Sequence, residues 1–197
     1  LDNILDNPDM EQTVREDFIK DIKREITNIQ FLVANLLKLS KLDANSVQFI
    51  NKEVKVEEII QNVVKNVSSI CDLKNIKINI TGDLKAKIVC DERWQIEAIT
   101  NIVKNAAEHS KTDSEIDISY EQNKAYTKVA IKDYGAGISN SDIKHIFQRF
   151  YKSKNSAKDS IGIGLPLAKS IIERNNGYIE VTSEEGKGTT FTIKYLK

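Results

Sequence analysis

The chain has 197 residues, and its 29 lysines and arginines are balanced by 29 aspartates and glutamates. This balance argues against binding to nucleic acid or to an anionic membrane surface, so we expect no nucleic-acid partner. No apolar run approaches the roughly 20 residues that span a bilayer. The two cysteines, Cys71 and Cys90, are too few for a disulfide framework or a zinc site, and we expect reduced thiols.

Residues 11–42 contain no glycine or proline, and their apolar positions have the spacing of a helix that packs along other helices. These positions are Ile19, Ile22, Ile26, Ile29, Val33 and Leu36. A turn at residues 6–9 would fold this helix back on a helical stub at residues 1–5, forming an antiparallel hairpin. Two interpretations cover the apolar stripe: a dimeric helical bundle, or packing against the chain's own neighbouring domain.

Residues 43–46 end the helical pattern, so the sequence predicts one domain at residues 1–44 and a second at residues 45–197. Alternating apolar residues in the second domain predict strands at 47–51, 76–80, 87–90, 116–121, 126–132, 178–183 and 189–195. Helical spacing predicts helices at 56–71, 92–109, 141–147 and 165–174, with Asp91 as the N-cap of the second. The predicted fold class is α+β, with helices covering one face of a sheet.

Asn101 and Asn105 are four residues apart on a predicted helix, so both project from one helical face. An amide oxygen is a neutral hard ligand, which suits a Mg²⁺ ion that keeps most of its coordination for phosphates and water. The simpler interpretation is a pair of solvated asparagines.

Six of the eight glycines fall into three clusters, at residues 133–137, 162–165 and 186–191. Asp133 ends a predicted strand, and a buried carboxylate there suits the exocyclic amine of adenine. Gly162 and Gly164 precede a helix with Pro166 in its first turn, and free amides at a helix start can cradle a phosphate. Between these clusters, residues 151–160 are polar and lysine-rich, as expected of a lid over a triphosphate, although a solvated loop would have the same composition.

These elements, read in order with the segment Ile146-Phe147-Gln148-Arg149-Phe150-Tyr151, resemble the catalytic ATP-binding domain of bacterial sensor histidine kinases. Gyrase-type ATPases and heat-shock chaperones belong to the same superfamily, whose nucleotide-binding domain is an α/β sandwich. The resemblance covers about residues 47–197. Residues 1–44 are similar to the end of the kinases' dimerisation and phosphotransfer hairpin, here truncated.

The resemblance implies that ATP and Mg²⁺ bind to this domain. The implied nucleotide-binding residues are Asn101, Asn105, His109, Asp133, Gly135, Gly137, Ile138, Phe150, Tyr151, Lys152, Gly162, Ile163, Gly164, Leu165 and Thr189. Asn105 would coordinate the metal, supported by Asn101. Asp133 would bind the adenine amine with Thr189 beside it, and Phe147 and Phe150 would anchor the base of the lid.

The sequence departs from the family pattern at three places. Glu108 and His109 stand where the family often has a cation followed by tyrosine, and Ser160 stands where the lid motif often begins with glycine. No phosphoacceptor histidine is present, because only His109 and His145 occur and His145 is expected to be structural or on the surface. We therefore expect a fragment that begins inside the first bundle helix, with the acceptor upstream.

The resemblance further implies a homodimer formed through the helical bundle, a response regulator receiver domain as partner, and a cytoplasmic location within a membrane-bound bacterial sensor. Two other functions fit some of the residues. A gyrase- or chaperone-type ATPase would need a carboxylate base on the asparagine helix, and Glu97 is the candidate. An anti-sigma-type serine kinase or a nucleotide-sensing module would share the site, but the hairpin at residues 1–44 argues against it.

Overall fold

A computed structural model describes residues 12–152 and 161–197 of the chain. The helices are α1 (Gln12–Asp43), α2 (Val56–Leu73), α3 (Glu92–His109), α4 (Asn140–Ile143) and α5 (Gly164–Arg174). The strands are β1 (Lys52–Lys55), β2 (Lys77–Gly82), β3 (Lys87–Cys90), β4 (Glu115–Gln122), β5 (Tyr126–Asp133), β6 (Gly177–Glu184) and β7 (Gly188–Leu196). The predicted α+β fold, with a sheet covered by helices, is confirmed.

Five strands form a mixed sheet in the order β2-β4-β5-β7-β6, in which only β2 and β4 run parallel. Side chains alternate along each strand, so cross-strand partners share one face. Ile118 pairs with Ile131, which pairs with Phe191, and all three are fully buried. This row forms the centre of the core beneath the helices.

Helix α3 occupies the middle of the helical layer, because it packs against both α2 and α5 and lies over β5. The face of α3 that packs on the core is apolar, and its side chains Ala98, Ile99, Ile102 and Val103 are fully buried. The predicted cap is also confirmed, since the Asp91 carboxylate accepts hydrogen bonds from the amides of the next turn. The opposite face of α3 is therefore held in a fixed position toward the cleft described below.

Helix α1 packs over its last turns against the part of the chain that follows it. Leu39 and Leu42 are fully buried, in the same hydrophobic core as the sheet and the helices that cover it. The Lys38 ammonium lies 2.7 Å from a Glu97 oxygen on α3, and Arg149 donates to both carboxylate oxygens of Asp43. Packing against the chain's own second domain therefore explains the C-terminal part of the apolar stripe.

Most of the earlier part of the stripe on α1 is exposed in this chain, although Ile22 is half-buried. The exposed apolar side chains of the whole helix are Val14, Ile19, Ile26, Ile29, Phe31, Val33 and Leu37. Packing within the chain thus accounts for only the C-terminal part of the stripe. The division at residues 44 and 45 stays a prediction, as does a bundle formed with a second copy.

Two predicted elements are wrong in position or length. Residues 47–51 are not a strand, and the strand that pairs with β3 is Lys52–Lys55. The helix predicted at 141–147 covers only Asn140–Ile143. The turn and helical stub predicted at residues 1–9 lie outside the described residues. Within the described part of the chain no helix is long and apolar enough to cross a membrane, and both cysteines are buried and unpaired.

Candidate nucleotide-binding site

A cleft opens between α3, the start of α5 and the loops that leave β5 and enter β7. It holds about 970 Å³ of empty space, counting the solvent at its open mouth. The residues lining it are Phe31, Asn101, Lys104, Asn105, Glu108, His109, Asp133, Gly137, Ile138, Ile146, Tyr151, Gly162, Gly164, Leu165, Pro166 and Thr189.

Asp133, the last residue of β5, lies at the deep end of the cleft and is 3% exposed. Its Oδ1 accepts hydrogen bonds from the Gly135 amide at 2.9 Å and the Thr189 amide at 3.2 Å. Burial raises the pKa of this carboxyl above its ordinary value, and the two amide hydrogen bonds partly offset that rise. Among the described residues, no side chain or amide donates to Oδ2, so this oxygen can accept a hydrogen bond from a ligand.

The turn after Asp133 is shaped by a glycine and held by a serine. Gly137 has φ of 71°, and a Cβ there would overlap the Glu184 carbonyl, so only glycine fits. The Ile138 amide donates to Ser183 Oγ at 2.8 Å, and that hydroxyl lies 2.9 Å from Thr189 Oγ1. The β5 loop and the β6–β7 hairpin are thus joined into one wall of the cleft.

The other end of the cleft is built by α3 and the first turn of α5. Asn101 and Asn105 both line it, as their spacing predicts. The Asn101 amide nitrogen donates to its own helix at the Glu97 carbonyl. This leaves Oδ1 on the side of Gly164, where an added Cβ would lie 3.2 Å from it. The amides at the start of α5 are free of intrahelical partners, so this end combines amide oxygens with a helix N-terminus suited to an anion.

A main-chain hydrogen bond joins the residues on either side of the segment that precedes α5. The Phe150 amide donates to the Gly162 carbonyl at 2.9 Å. Gly162 has φ of 72°, and a Cβ there would overlap the Tyr151 carbonyl. The Tyr151 hydroxyl donates to Asp142 at 2.6 Å, which raises the pKa of Tyr151, and its ring packs beside His145. Residues 153–160, on which the predicted lid and the Ser160 departure depend, lie outside the described residues.

The C-terminal turn of α3 forms the remaining wall. Lys74 donates hydrogen bonds to the carbonyls of Ala107, Glu108 and Ser110, at 2.6–3.1 Å. A cation at a helix C-terminus also interacts favourably with the helix dipole. The main chain of Gly135 lies against the His109 carbonyl. Lys74 therefore fixes the turn that carries Glu108 and His109 and supports the loop after Asp133.

Most predicted site residues lie together in the cleft, although their binding roles stay predictions. Those that line it are Asn101, Asn105, His109, Asp133, Gly137, Ile138, Tyr151, Gly162, Gly164, Leu165 and Thr189. Those that do not are Gly135, Phe150, Lys152 and Ile163. Gly135 acts through its amide on Asp133, the Ile163 side chain is buried in the core, and Phe150 is 57% exposed. His145 also lies outside the cleft, on the surface.

Sequence reasoning missed several residues of the cleft as site residues: Phe31, Lys104, Glu108, Ile146 and Pro166. The signal for Lys104 was present, because it follows Asn101 by three residues and so shares its helical face. No sequence signal pointed to Phe31, which reaches the cleft only because α1 docks beside α3.

Comparison with known proteins places this cleft in a family. Residues 90–197 match the model of the histidine kinase-, DNA gyrase B- and HSP90-like ATPases. The chain belongs to that family. The match includes every predicted site residue.

One relative is the heme sensor protein HssS of Staphylococcus saprophyticus, 33% identical over 184 residues, which covers 93% of this chain and 39% of HssS. The histidine kinase AdeS of Acinetobacter baumannii has the same fold, with a TM-score of 0.80 at 21% identity over 99% of this chain and 90% of that one. The histidine kinase ThkA, solved in complex with the response regulator protein TrrA, gives a TM-score of 0.75 at 21% identity, covering 98% and 53%. The chain spans about a third to just over half the length of its first curated relatives, at 39%, 57% and 34%.

Proposed function

We propose that this chain is the kinase core of a two-component sensor histidine kinase. It binds ATP with Mg²⁺ in the cleft and passes the γ-phosphoryl group to a histidine on a helical bundle, for relay to an aspartate of a response regulator. The observation that carries the proposal is the buried Asp133, fixed through Oδ1 with Oδ2 open to the cleft.

The adenine base would enter at Asp133. Its exocyclic amine would donate to Oδ2, while the Gly135 and Thr189 amides hold the carboxylate in place. A buried carboxylate is a strong acceptor for such a donor, because water does not compete for it. Ile138 and Ile146 supply apolar surface at the same end of the cleft for the faces of the purine.

The phosphates would then extend toward the start of α5. The free amides there and the positive end of the helix dipole favour an anion. Asn101 and Asn105 present neutral amide oxygens beside this position, which fits a divalent ion that already has phosphate ligands. When bound, Mg²⁺ would neutralise phosphate charge. Phosphoryl transfer depends mainly on such positioning and charge compensation, so the domain needs no nucleophile of its own.

The rival ATPase mechanism has less support from the contacts of the cleft. Its base would have to activate a water molecule near the terminal phosphate. The Glu97 carboxylate instead pairs with Lys38 of α1, 2.7 Å away, and Glu97 is not among the residues lining the cleft. The serine-kinase and sensing alternatives have no specific contact in their favour.

The proposal extends to the protein of which this chain would be a part. The uncovered apolar stripe on α1 would pack against a second copy, forming the bundle of a homodimer. The acceptor histidine would lie on that bundle, and the chain would be the cytoplasmic part of a bacterial membrane sensor. A response regulator partner is supported by the ThkA complex with TrrA.

Calorimetric titration with ATP and Mg²⁺ tests the nucleotide site. The unchanged chain should bind, and Asp133→Ala should abolish binding because the carboxylate that would accept from the adenine amine is lost. Asp72→Ala, which removes an exposed carboxylate on α2, is the matched control and should bind normally. Undiminished binding by Asp133→Ala would reject the adenine assignment.

The transfer step is tested on the longer natural protein with γ-labelled ATP. We expect an acid-labile, alkali-stable label on a histidine of the bundle, which disappears in Asp133→Ala. Steady release of inorganic phosphate without any labelled histidine would instead favour the ATPase.

A further inference from the structure

An acidic side chain faces a cleft that is proposed to bind a triphosphate. Glu108 lines the cleft, and its negative charge disfavours a bound anion. Among the described residues that line the cleft, Lys104 is the only lysine or arginine. Within the described part of the cleft, a phosphate therefore has one side-chain partner of fixed positive charge available.

Helical geometry places Lys104 on the required face. It follows Asn101 by three residues and precedes Glu108 by four, so all three side chains project from one side of α3. The Lys104 ammonium lies 3.7 Å from a Glu108 carboxylate oxygen, and the two side chains are 43% and 27% exposed. A pair this loose and this accessible to solvent is weak. The ammonium can therefore turn from Glu108 to a more highly charged anion.

The same ammonium has a second partner on another part of the chain. It lies 4.7 Å from the ring centroid of Phe31, on helix α1. Phe31 itself lines the cleft, and α1 is held beside α3 by the Lys38–Glu97 ion pair. Docking of α1 thus brings an aromatic face onto Lys104, the only lysine or arginine among the described residues that line the cleft.

We propose that Lys104 is the phosphate-binding cation of this site, and that the nucleotide phosphates and the Phe31 ring compete for its ammonium group. The inference rests on the proposed function. The phosphates are the stronger partner, because several negative charges attract a cation more than an aromatic quadrupole does. ATP binding therefore weakens the hold of α1 on the catalytic part, and docked α1 weakens ATP binding.

The first test separates phosphate contacts from base contacts. Calorimetric titrations with ATP plus Mg²⁺ and with adenosine compare the unchanged chain, Lys104→Met and the control Lys65→Met, an exposed lysine on α2. Lys104→Met should weaken ATP binding by about tenfold or more, leave adenosine affinity within about twofold, and reduce the salt dependence of ATP binding. Lys65→Met should change none of these.

Equal ATP affinity in Lys104→Met and the unchanged chain would overturn the inference while leaving the proposed function intact. Failure of the unchanged chain to bind either ligand would instead reject the proposed function. An equal loss of ATP and adenosine affinity would show that Lys104 acts on the shape of the cleft, which also overturns the inference.

The second test addresses the competition. Phe31→Ala should raise ATP affinity by about two- to fivefold, leave adenosine affinity unchanged, and have no effect when Lys104→Met is already present. Leu37→Ala, which truncates an exposed apolar side chain of the same helix, is the matched control. A Phe31→Ala effect that persists in the Lys104→Met background, or that lowers ATP affinity, would overturn the competition.

Discussion

Asp133 combines two properties that rarely occur together: its carboxylate is almost fully buried, yet one oxygen remains free to bind a ligand. The cost of burial is reduced mainly by two main-chain donors. A salt bridge would have held the charge more firmly but would have occupied the same oxygens. The arrangement therefore favours recognition over stability at this residue.

The raised pKa of Asp133 has a measurable consequence for binding. An adenine amine donates best to the ionised carboxylate, so adenosine affinity should fall as the pH drops through the raised pKa. The fall should begin above the range of an ordinary aspartate, about 3.9. Bound adenosine favours the charged form and should lower the Asp133 pKa, because linkage acts in both directions.

Carbon-detected NMR titration of the Asp133 carboxyl, with and without adenosine, measures both effects. The exposed carboxyl of Asp72 should not respond to adenosine and serves as the internal control. A pH-independent adenosine affinity across the Asp133 titration would contradict the prediction.

Helix α3 connects the core to the cleft, and its C-terminal turn is stabilised from outside the helix. Lys74, the C-cap residue that follows α2, donates to three carbonyls there. These carbonyls have no intrahelical donors of their own, because the last turn of any helix leaves its acceptors free. One side chain thus couples the ends of two helices and the wall formed by Glu108 and His109.

Lys74→Met should lower the free energy of unfolding by about 1–3 kcal/mol, because it removes a half-buried cation from three acceptors. Urea unfolding measures the loss, and Lys65→Met on the exposed face of α2 should stay within about 0.5 kcal/mol of the unchanged chain. If both variants unfold alike, the Lys74 bonds contribute nothing to stability.

The elements that the sequence predicted well are those with strong local signals. Helix α3 was predicted within its observed bounds because Asp91 caps it and its buried face repeats regularly. The strand at 47–51 was wrong because Val47 and Phe49 alternate and are half-buried, yet they have no strand to pair with. The true β1 contains Lys52 and Glu53, which hide its pattern, and it exists because it pairs with β3. Pairing between distant segments is not visible in local alternation.

The candidate site shows the same division. Asn101, Asn105, Asp133 and the glycine clusters were predictable, since residue type and spacing within one element determine their chemistry. Phe31 was not, because its place in the cleft depends on how α1 docks. The structure was also needed to tell which of the predicted residues face the cleft. Ile163 follows Gly162 directly, yet its side chain is buried in the core.

The molecule as a whole is organised around helix α1, which belongs to two environments. Its last turns bury Leu39 and Leu42 in the catalytic core, while its earlier apolar side chains are exposed. Arg174 of α5 donates to the Leu42 carbonyl and to Asn45, and Arg149 pairs with Asp43. The end of α1 is thus held by both packing and polar contacts.

Leu42→Ala should destabilise the chain by about 2–5 kcal/mol, because it leaves a cavity in the core. Leu37→Ala, on the same helix but 57% exposed, should cost less than about 1 kcal/mol. Urea unfolding of the two variants gives the comparison directly. Similar stabilities would mean that α1 separates from the catalytic part in solution.

The reliance of Asp133 on main-chain donors also bears on drug resistance. A compound that donates to Asp133 Oδ2 competes for the group that the proposed substrate would use. The Gly135 and Thr189 amides that hold Oδ1 belong to the main chain, so only a substitution by proline removes them. Escape would require a change of Asp133 itself. That change would leave two buried amides without their acceptor and remove the proposed adenine contact, so a resistant variant would lose both stability and the proposed nucleotide binding.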